Sequence, residues 1–343
     1  PKGFACAGPP HEPGSVFVRI EGEKIAPPVP LSPEHRVMAT DILPVSFSAG
    51  ASCPRFIRFV NEVFAGVDKE DATKRIATIL EFFGACLLGT APKYQCAVLL
   101  LGSGANGKST MLSALTRLFP EVTRVSIPIQ FWGEDYKVAK LRGARVNICN
   151  ELPAREVVAA EIAKAVITGD PITAREPYGQ AFTFSPRAGH VFAANRLPPV
   201  ADLSDGFFRR FIVIDFPNQF TGADADADLD KALAAELPGI LQLVLYYAEQ
   251  LTERGRYDPP ASADAAQKAW REHNDTVAQW VVEATVPAGR EWAKGEAAYR
   301  AYREWALAGG FKPVSIREYK TRMEAAGVKG KTVGGVRHWG IRV

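Results

Sequence analysis

The stretch Ala97–Thr110 reads AVLLLGSGANGKST. An apolar run stops at Gly102, and a glycine-rich turn then reaches Lys108 and Ser109. A short apolar run bounded by a turn reads as a buried strand, and KSTMLSALTRLF after it carries helical spacing. Gly102, Gly107, Lys108 and Ser109 stand at the spacing G-x-x-x-x-G-K-[ST]. Glycines there let backbone N–H groups turn inward as an anion nest, and the helix that follows points its N-terminus at the same place. The expectation is an ATP site built from Gly102, Ser103, Gly104, Ala105, Asn106, Gly107, Lys108, Ser109 and Thr110. Lys108 would reach the β- and γ-phosphates and Ser109 would ligate Mg²⁺. The plain alternative is a glycine turn that only joins strand to helix.

From Gln95 to Pro217 short apolar runs alternate with helical stretches: CAVLLLG, ARVNICN, GHVFAAN and FIVIDF. Such runs are the strands of a mainly parallel sheet buried on both faces, which makes the fold class α/β. The run RVNICNEL ends in Glu151, 43 residues after Lys108. A carboxylate there would polarise the attacking water or hold a water of the Mg²⁺ shell, so Glu151 joins Ser109 on the metal side. Its neighbour is Asn150 and not a second acid, which leaves Glu151 the one candidate carboxylate on that strand. GHVFAAN ends in Asn195, whose amide could hydrogen-bond both γ-phosphate and water; an Asn before prolines is also an ordinary turn residue. Arg209 and Arg210 follow 14 and 15 residues later, just before FIVIDF. A planar guanidinium suits a developing phosphoryl charge, and a neighbouring subunit often supplies it. The sequence does not separate the two arginines; Arg210 is preferred because it abuts the strand.

The 343 residues are 47% hydrophobic, which suits a sizeable core and two or three domains. No apolar run approaches the ~20 residues of a membrane span. The chain opens Pro-Lys-Gly with no visible signal peptide, so the expectation is a piece of a longer protein in the cytoplasm, with a bacterial host. Cys6, Cys53, Cys86, Cys96 and Cys149 show no metal spacing and read as reduced thiols, with a Cys86–Cys96 disulfide as the minor alternative. Residues 1–52 hold nine of the 25 prolines and read as a loop-rich lead-in with short β-like runs such as SVFVRI. Residues 53–94 carry two apolar helical stripes, one through Phe56, Phe59, Val60, Val63 and Phe64, the other through Ile76, Ile79, Leu80, Phe83 and Leu87. The core is assigned to 95–258, with ADADADLD at 223–230 as an acidic linker or helix start, and a third unit to 259–343.

Net charge is +3, but residues 312–343 carry +6 and the rest −3. A basic tail on a near-neutral body points to a polyanion, with a solvated lysine face as the alternative. KGEAAYRAYREWALAGG reads as one helix, SIREYKTRMEAAG as a second opened by a capping box of Ser315 and Glu318, and VKGKTVGGVRHWGIRV as two strands around a Gly-Gly turn. That is a small winged-helix pattern. Arg317, Lys320 and Arg322 would lie on the second helix, and Lys329, Lys331 and Arg337 on the wing. Such a helix enters a major groove while the wing touches phosphate; a protein-docking module is the other reading.

Taken together these segments resemble the superfamily 3 helicases, and more closely the helicase portion of phage, plasmid and poxvirus-type primase-helicases. The likeness runs through ATDILPVSFSAGASCPRFIRFVNEVF, GSGANGKST, ITGDPITAREPYGQAFTFSP, AANRLPPVAD with DGFFRRFIVIDFP, and AAELPGILQLVLYYAEQL. The resemblance implies an AAA+-like ATPase core that assembles as a ring, usually a hexamer, with single-stranded or forked DNA in the middle. It also implies sites shared between subunits, completed by Arg209 or Arg210 of a neighbour. ITAREPYGQAFTF alternates on both sides of a Pro/Gly turn and reads as a hairpin, which the family uses to line the pore. Arg175 and Tyr178 are then the DNA candidates, with Lys164 on the preceding helix as a weaker one; a plain surface hairpin is the alternative. Glu176 at the tip departs from a strongly basic pore loop.

The expected function is therefore an ATP-dependent replicative helicase of a mobile element. A DNA-binding initiator or scaffold, whose ATPase drives assembly or origin melting, is the first alternative. A small-molecule P-loop kinase is the second, and no acceptor site or lid favours it. No primase site or zinc motif is visible, so a primase domain would lie upstream or on a partner.

Overall fold

A computed structural model describes residues 4–7, 16–21, 24–30, 42–48, 50–153, 157–221, 226, 228–289 and 291–342. Half of the acidic stretch at 223–230 lies outside them. Two compact units divide the chain: Pro1–Val200 with Ser204–Gln267, and Ala201–Leu203 with Lys268–Val343. The lead-in, helical segment and core expected as separate domains share the first unit. The division falls after Gln267 and not after Asp258, because Ala263 is buried in the first core and the Gln267 amide donates to the carbonyls of Phe208 (2.7 Å) and Phe211 (2.9 Å).

The first unit opens with β1 (Phe4–Ala7), β2 (Val16–Glu21), β3 (Lys24–Pro30) and β4 (Ile42–Leu43), paired in the order β3-β2-β1-β4. The proline-rich lead-in thus holds a four-stranded sheet, more order than its composition led us to expect. Helix α1 (Pro54–Val63) starts on a proline whose missing N–H costs nothing there, and it buries Phe56, Phe59, Val60 and Val63. Its next two free N–H groups, at Arg55 and Phe56, donate to the Glu236 carboxylate at 3.0 and 2.9 Å. Helix α2 (Lys69–Leu87) is capped by Asp68, which accepts from Glu70 and Asp71.

The core follows: β5 (Ala97–Leu101), α3 (Lys108–Thr116), β6 (Arg124–Val125), α4 (Asp135–Val138), β7 (Val146–Cys149), α5 (Ala160–Thr168), β8 (Ile172–Arg175), β9 (Ala181–Phe184), β10 (Gly189–Ala194), α6 (Asp205–Phe208) and β11 (Phe211–Asp215). Five strands form one parallel sheet in the order β11-β5-β10-β7-β6. The four anticipated strands are present, and β6 adds a short edge. Every residue of β7 and β10 is buried, which is why these strands read as continuous apolar runs. The order places β10 between β5 and β7, so the chain crosses to the far edge after α3 and works back. A crevice at the carboxyl ends of β5 and its neighbours is where such sheets bind ligands.

After the sheet come α7 (Leu229–Ala235), α8 (Leu237–Arg254) and α9 (Ala261–Asn274). Gly84 of α2 meets α8 so closely that an added Cβ would lie 2.6 Å from the Ala248 Cβ. This helical layer, with α1 and α3, shares one core with β5, β10 and β11.

The second unit contains α10 (Thr276–Ala284), β12 (Val286–Pro287), β13 (Ala293–Lys294), α11 (Gly295–Ala308), α12 (Ile316–Ala325), β14 (Gly330–Val333), β15 (Val336–Trp339) and β16 (Ile341–Arg342). Strands β13, β15 and β14 make an antiparallel sheet in that order, turning at Gly334-Gly335, both with positive φ. Trp280, Tyr302, Tyr319, Met323 and Trp339 fill its core. Ser315 caps α12 by accepting from the Glu318 N–H at 3.2 Å, but the Glu318 carboxylate turns to Arg322. Only half of the expected capping box forms.

Candidate functional site

Between β5 and α3 the backbone turns left-handed at Gly104 (φ +106°), Ala105 (+50°) and Gly107 (+83°). Such a run points successive N–H groups into one concavity, the shape an anion requires. Alanine rarely adopts this conformation, and here its carbonyl is held by the Phe220 N–H at 2.6 Å. At Gly107 an added Cβ would lie 2.8 Å from Val63, so α1 forms the floor of the loop. The Lys108 ammonium is buried and donates to Gly102 O (2.7 Å) and Asn106 Oδ1 (2.9 Å), leaving its third proton for another acceptor. Burial lowers the Lys108 pKa, and the Asp215 carboxylate works in the opposite direction. The segment after β11 closes the loop from a third side. Gln219 donates to Ser103 Oγ (2.7 Å), and the Asn218 amide caps α1 through the carbonyls of Glu62, Val63 and Ala65.

Sequence reading missed Asp215, Asn218 and Gln219. Asp215 did carry a signal, since it ends an apolar strand as Glu151 does.

The carboxyl ends of the next strands complete this edge. The Gly102 N–H donates to Ala194 O at 3.1 Å, which sets exposed Asn195 beside the start of the loop. Cys149 of β7 lies level with Phe192 of β10, so Glu151 emerges level with Ala194, one strand further out and about 10 Å from the loop by strand spacing. Glu151 is exposed. Ser109 and Asn150 line one cleft of about 490 Å³. Buried Asn147 braces the exit of β7, accepting from the Ile127 N–H (2.8 Å) and donating to the Ile127 carbonyl (2.9 Å). Among the described residues no three His, Cys, Asp or Glu side chains gather as a metal site. One hydroxyl, one carboxylate and phosphate oxygens are nonetheless the donor set that Mg²⁺ takes with a nucleotide. The residues present fit both ATP and Mg²⁺.

Arg209 and Arg210 lie at the other end of the sheet. Phe211 pairs with Ala97 and Asp215 with Leu101, so β11 separates the arginines from Lys108 by about 16 Å. Arg210 donates to the carbonyl of Gly206 in the preceding helix α6, and burial together with neighbouring Arg209 lowers its pKa. Arg209 is exposed and lines a cleft of about 500 Å³ with Lys93, Arg256 and Gln267. Phe207 and Phe208 are buried, as the packed segment required.

Strands β8 and β9 form the anticipated hairpin, with Ile172 opposite Phe184 and Arg175 opposite Ala181. Tyr178 stands fully exposed at its tip with φ +63°, a conformation costly for an aromatic residue. Arg175 is exposed, and Arg142 stacks on Phe182 lower down at 4.9 Å. Lys164 is mostly covered and pairs with Glu161 at 3.0 Å.

In the second unit the basic residues separate into two groups. Arg322, expected on a DNA-facing helix surface, is buried: it donates to Ala201 O at 2.7 Å and pairs with Glu318. Arg337 pairs with Glu324 and stacks on Trp339, so it too is a packing residue. Arg317, Lys320, Lys329 and Lys331 are exposed. Four cysteines (Cys53, Cys86, Cys96 and Cys149) are free, and no described helix is long and apolar enough to cross a membrane.

Residues 100–210 match a family model described as "Family of unknown function (DUF5906)". The chain is 27% identical over 206 residues to "Putative helicase L207/L206" of Acanthamoeba polyphaga mimivirus, covering 53% of this chain and 21% of that protein. It is 24% identical over 269 residues to "Putative helicase 022R" of Frog virus 3, covering 71% and 27%. The chain thus spans about a quarter or less of these curated relatives. Two solved structures of the NrS-1 C-terminal region share its fold at TM-scores of 0.50 and 0.51, with 13% and 14% identity. They cover 91% of this chain and 78% and 79% of theirs. This is a mixed α/β chain around a parallel sheet, similar in sequence to proteins that large DNA viruses encode and that are named as helicases.

Proposed function

We propose that this chain is the motor of an ATP-driven DNA helicase: an AAA+-like core of superfamily 3 type, working as a ring, usually a hexamer, with a winged-helix unit following it in the sequence. One observation carries the reading. The loop at Gly102–Ser109, Asn195 and Glu151 share one edge of the sheet, while Arg209 lies at the opposite edge, beyond reach of its own chain's loop.

Bound ATP would supply the phosphoanhydride, and Mg²⁺ would neutralise charge on its oxygens. Lys108 extends its third proton, and then the two now on Gly102 O and Asn106 Oδ1, to phosphate oxygens. Glu151 takes the proton of the attacking water, and Asn195 orients that water. Arg209 of a second copy stabilises the charge that builds during transfer, and it is preferred over Arg210 because Arg210 is turned onto Gly206. Lys93 and Arg256, in the same cleft as Arg209, add positive charge there. The hairpin β8–β9 would present Tyr178 and Arg175 to the strand being moved.

The test is ATP hydrolysis with and without single-stranded DNA, beside unwinding of a forked duplex. The expected result is stimulation by the single strand together with unwinding. Assembly on ATP without unwinding would favour an initiator or scaffold instead. Hydrolysis indifferent to DNA, with the fork intact, would overturn the reading.

A further inference from the structure

The sheet of the second unit has two unlike faces. Alternation along the strands puts Ala293, Trp339, Arg337 and Thr332 on one face, where Trp339 is fully buried and meets Tyr319 of α12 edge-on at 6.3 Å. The other face turns away from α12. Across it, Lys294 pairs with His338 and His338 with Lys331, giving a row of three basic side chains. Lys294 and Lys331 are exposed. Lys294 and Lys331 flank His338 and so stand about 10 Å apart by strand spacing, two like charges on one open face. Further out on this face Val333 and Val336 are 56% and 46% exposed. Trp292 borders the row, half-buried, with the Lys331 ammonium 4.4 Å from its ring centre. The basic row, the indole and the bare aliphatic tip form one continuous surface. The core of the unit, around Trp280, Tyr302, Tyr319, Met323 and Trp339, lies on the other face.

We infer that this outer face of β13-β15-β14 is a binding platform for unpaired nucleic acid, with a base stacked on Trp292 and phosphates on Lys294, Lys331 and Lys329. Neighbouring cations and a half-buried indole beside them are stabilised together by a ligand that alternates anionic and flat aromatic groups. A single strand offers both; a duplex keeps its bases stacked inside and would meet only the lysines. When Lys331 moves to a phosphate it leaves an indole face to a base. The inference rests on the DNA-directed reading of the chain. It adds a contact separate from the exposed Arg317 and Lys320 of α12, on the opposite side of the sheet.

The experiment is equilibrium binding by the full chain, without nucleotide, of a single-stranded oligonucleotide and a blunt duplex of the same sequence. Trp292→Ala should weaken single-strand binding about five- to 150-fold and leave the duplex within twofold. Lys294→Ala with Lys331→Ala should lower the salt dependence for the single strand by about 1.4 in log–log slope. Trp292→Phe should restore most of the affinity. The background Arg175→Ala with Tyr178→Ala removes the hairpin's contribution, and the same differences should persist in it. Because no nucleotide is present, failure of the ATPase reading does not affect the outcome. Equal loss for both DNAs, or single-strand binding within twofold of wild type, overturns the inference. Should Trp292→Ala fail to fold, Trp292→Leu, which keeps an apolar side chain of similar reach without an aromatic face, decides the matter by the same criterion.

Discussion

At the carboxyl edge of the core sheet, a left-handed loop, a buried lysine, an amide and a carboxylate gather within three adjacent strand ends. At the amino edge, Arg209 shares a cleft with Lys93 and Arg256, and Asp264 is the one acid lining it. The first edge carries the groups proposed to hold a triphosphate and to activate water. The second has spare positive charge and nothing to hydrolyse. A rigid parallel sheet keeps them about 16 Å apart, so no side-chain movement within one chain unites them. Two copies set edge to edge would, and that makes assembly part of the chemistry in this account.

The largest effect is expected at Arg209. Arg209→Ala is expected to lower the ATPase turnover by 10³–10⁵, the range for an arginine supplied by a neighbour, while nucleotide binding at Lys108 persists. Lys108→Ala should lower turnover by about 10²–10³ and weaken nucleotide binding as well, which direct binding of a fluorescent ATP analogue would show. Arg210→Ala, by contrast, should keep turnover within about tenfold of wild type, because its guanidinium serves the Gly206 carbonyl. A larger loss at Arg210 than at Arg209 would reverse the assignment.

A smaller effect sharpens the picture of the sheet that separates the edges. His190 of β10 is fully buried against Trp132, 4.6 Å from ring to ring, and burial pushes its pKa down to about 3. Unfolded, it titrates near 6.5. Above that pH both states are neutral and His190 contributes no pH dependence. Below it the unfolded chain takes a proton that the folded chain refuses. Stability should fall by about 1.4 kcal/mol per pH unit from 6.5 towards 3, or about 2 kcal/mol at pH 5. Urea unfolding at pH 7.5 and pH 5 checks this, and His190→Phe should lack that share of the loss.

How far the sequence could be read depends on what kind of contact each residue makes. Strands β5, β7, β10 and β11 were legible because burial on both faces leaves an unbroken apolar run. Strand β6 was not, since it is two half-buried residues at the sheet edge. Glu151 and Asn195 are legible as strand ends because a polar residue closing a buried run stands out; Asp215 closes one too, but Phe216 after it extends the apolar run. The lead-in sheet was hidden by its prolines. Arg322 shows the limit. By type and position it resembles Arg317 and Lys320, and Ala201 O, Asn274 O and the Asp275 carboxylate, from distant parts of the chain, distinguish it as a packing residue. Helical periodicity cannot report such partners.

Each site is proposed to take residues from two chains. Mixing the Lys108→Ala and Arg209→Ala variants, each inactive alone, tests it. Some interfaces in the mixture would pair an intact loop with an intact Arg209, so hydrolysis should rise well above that of either variant alone. A mixture no more active than its components would contradict the claim.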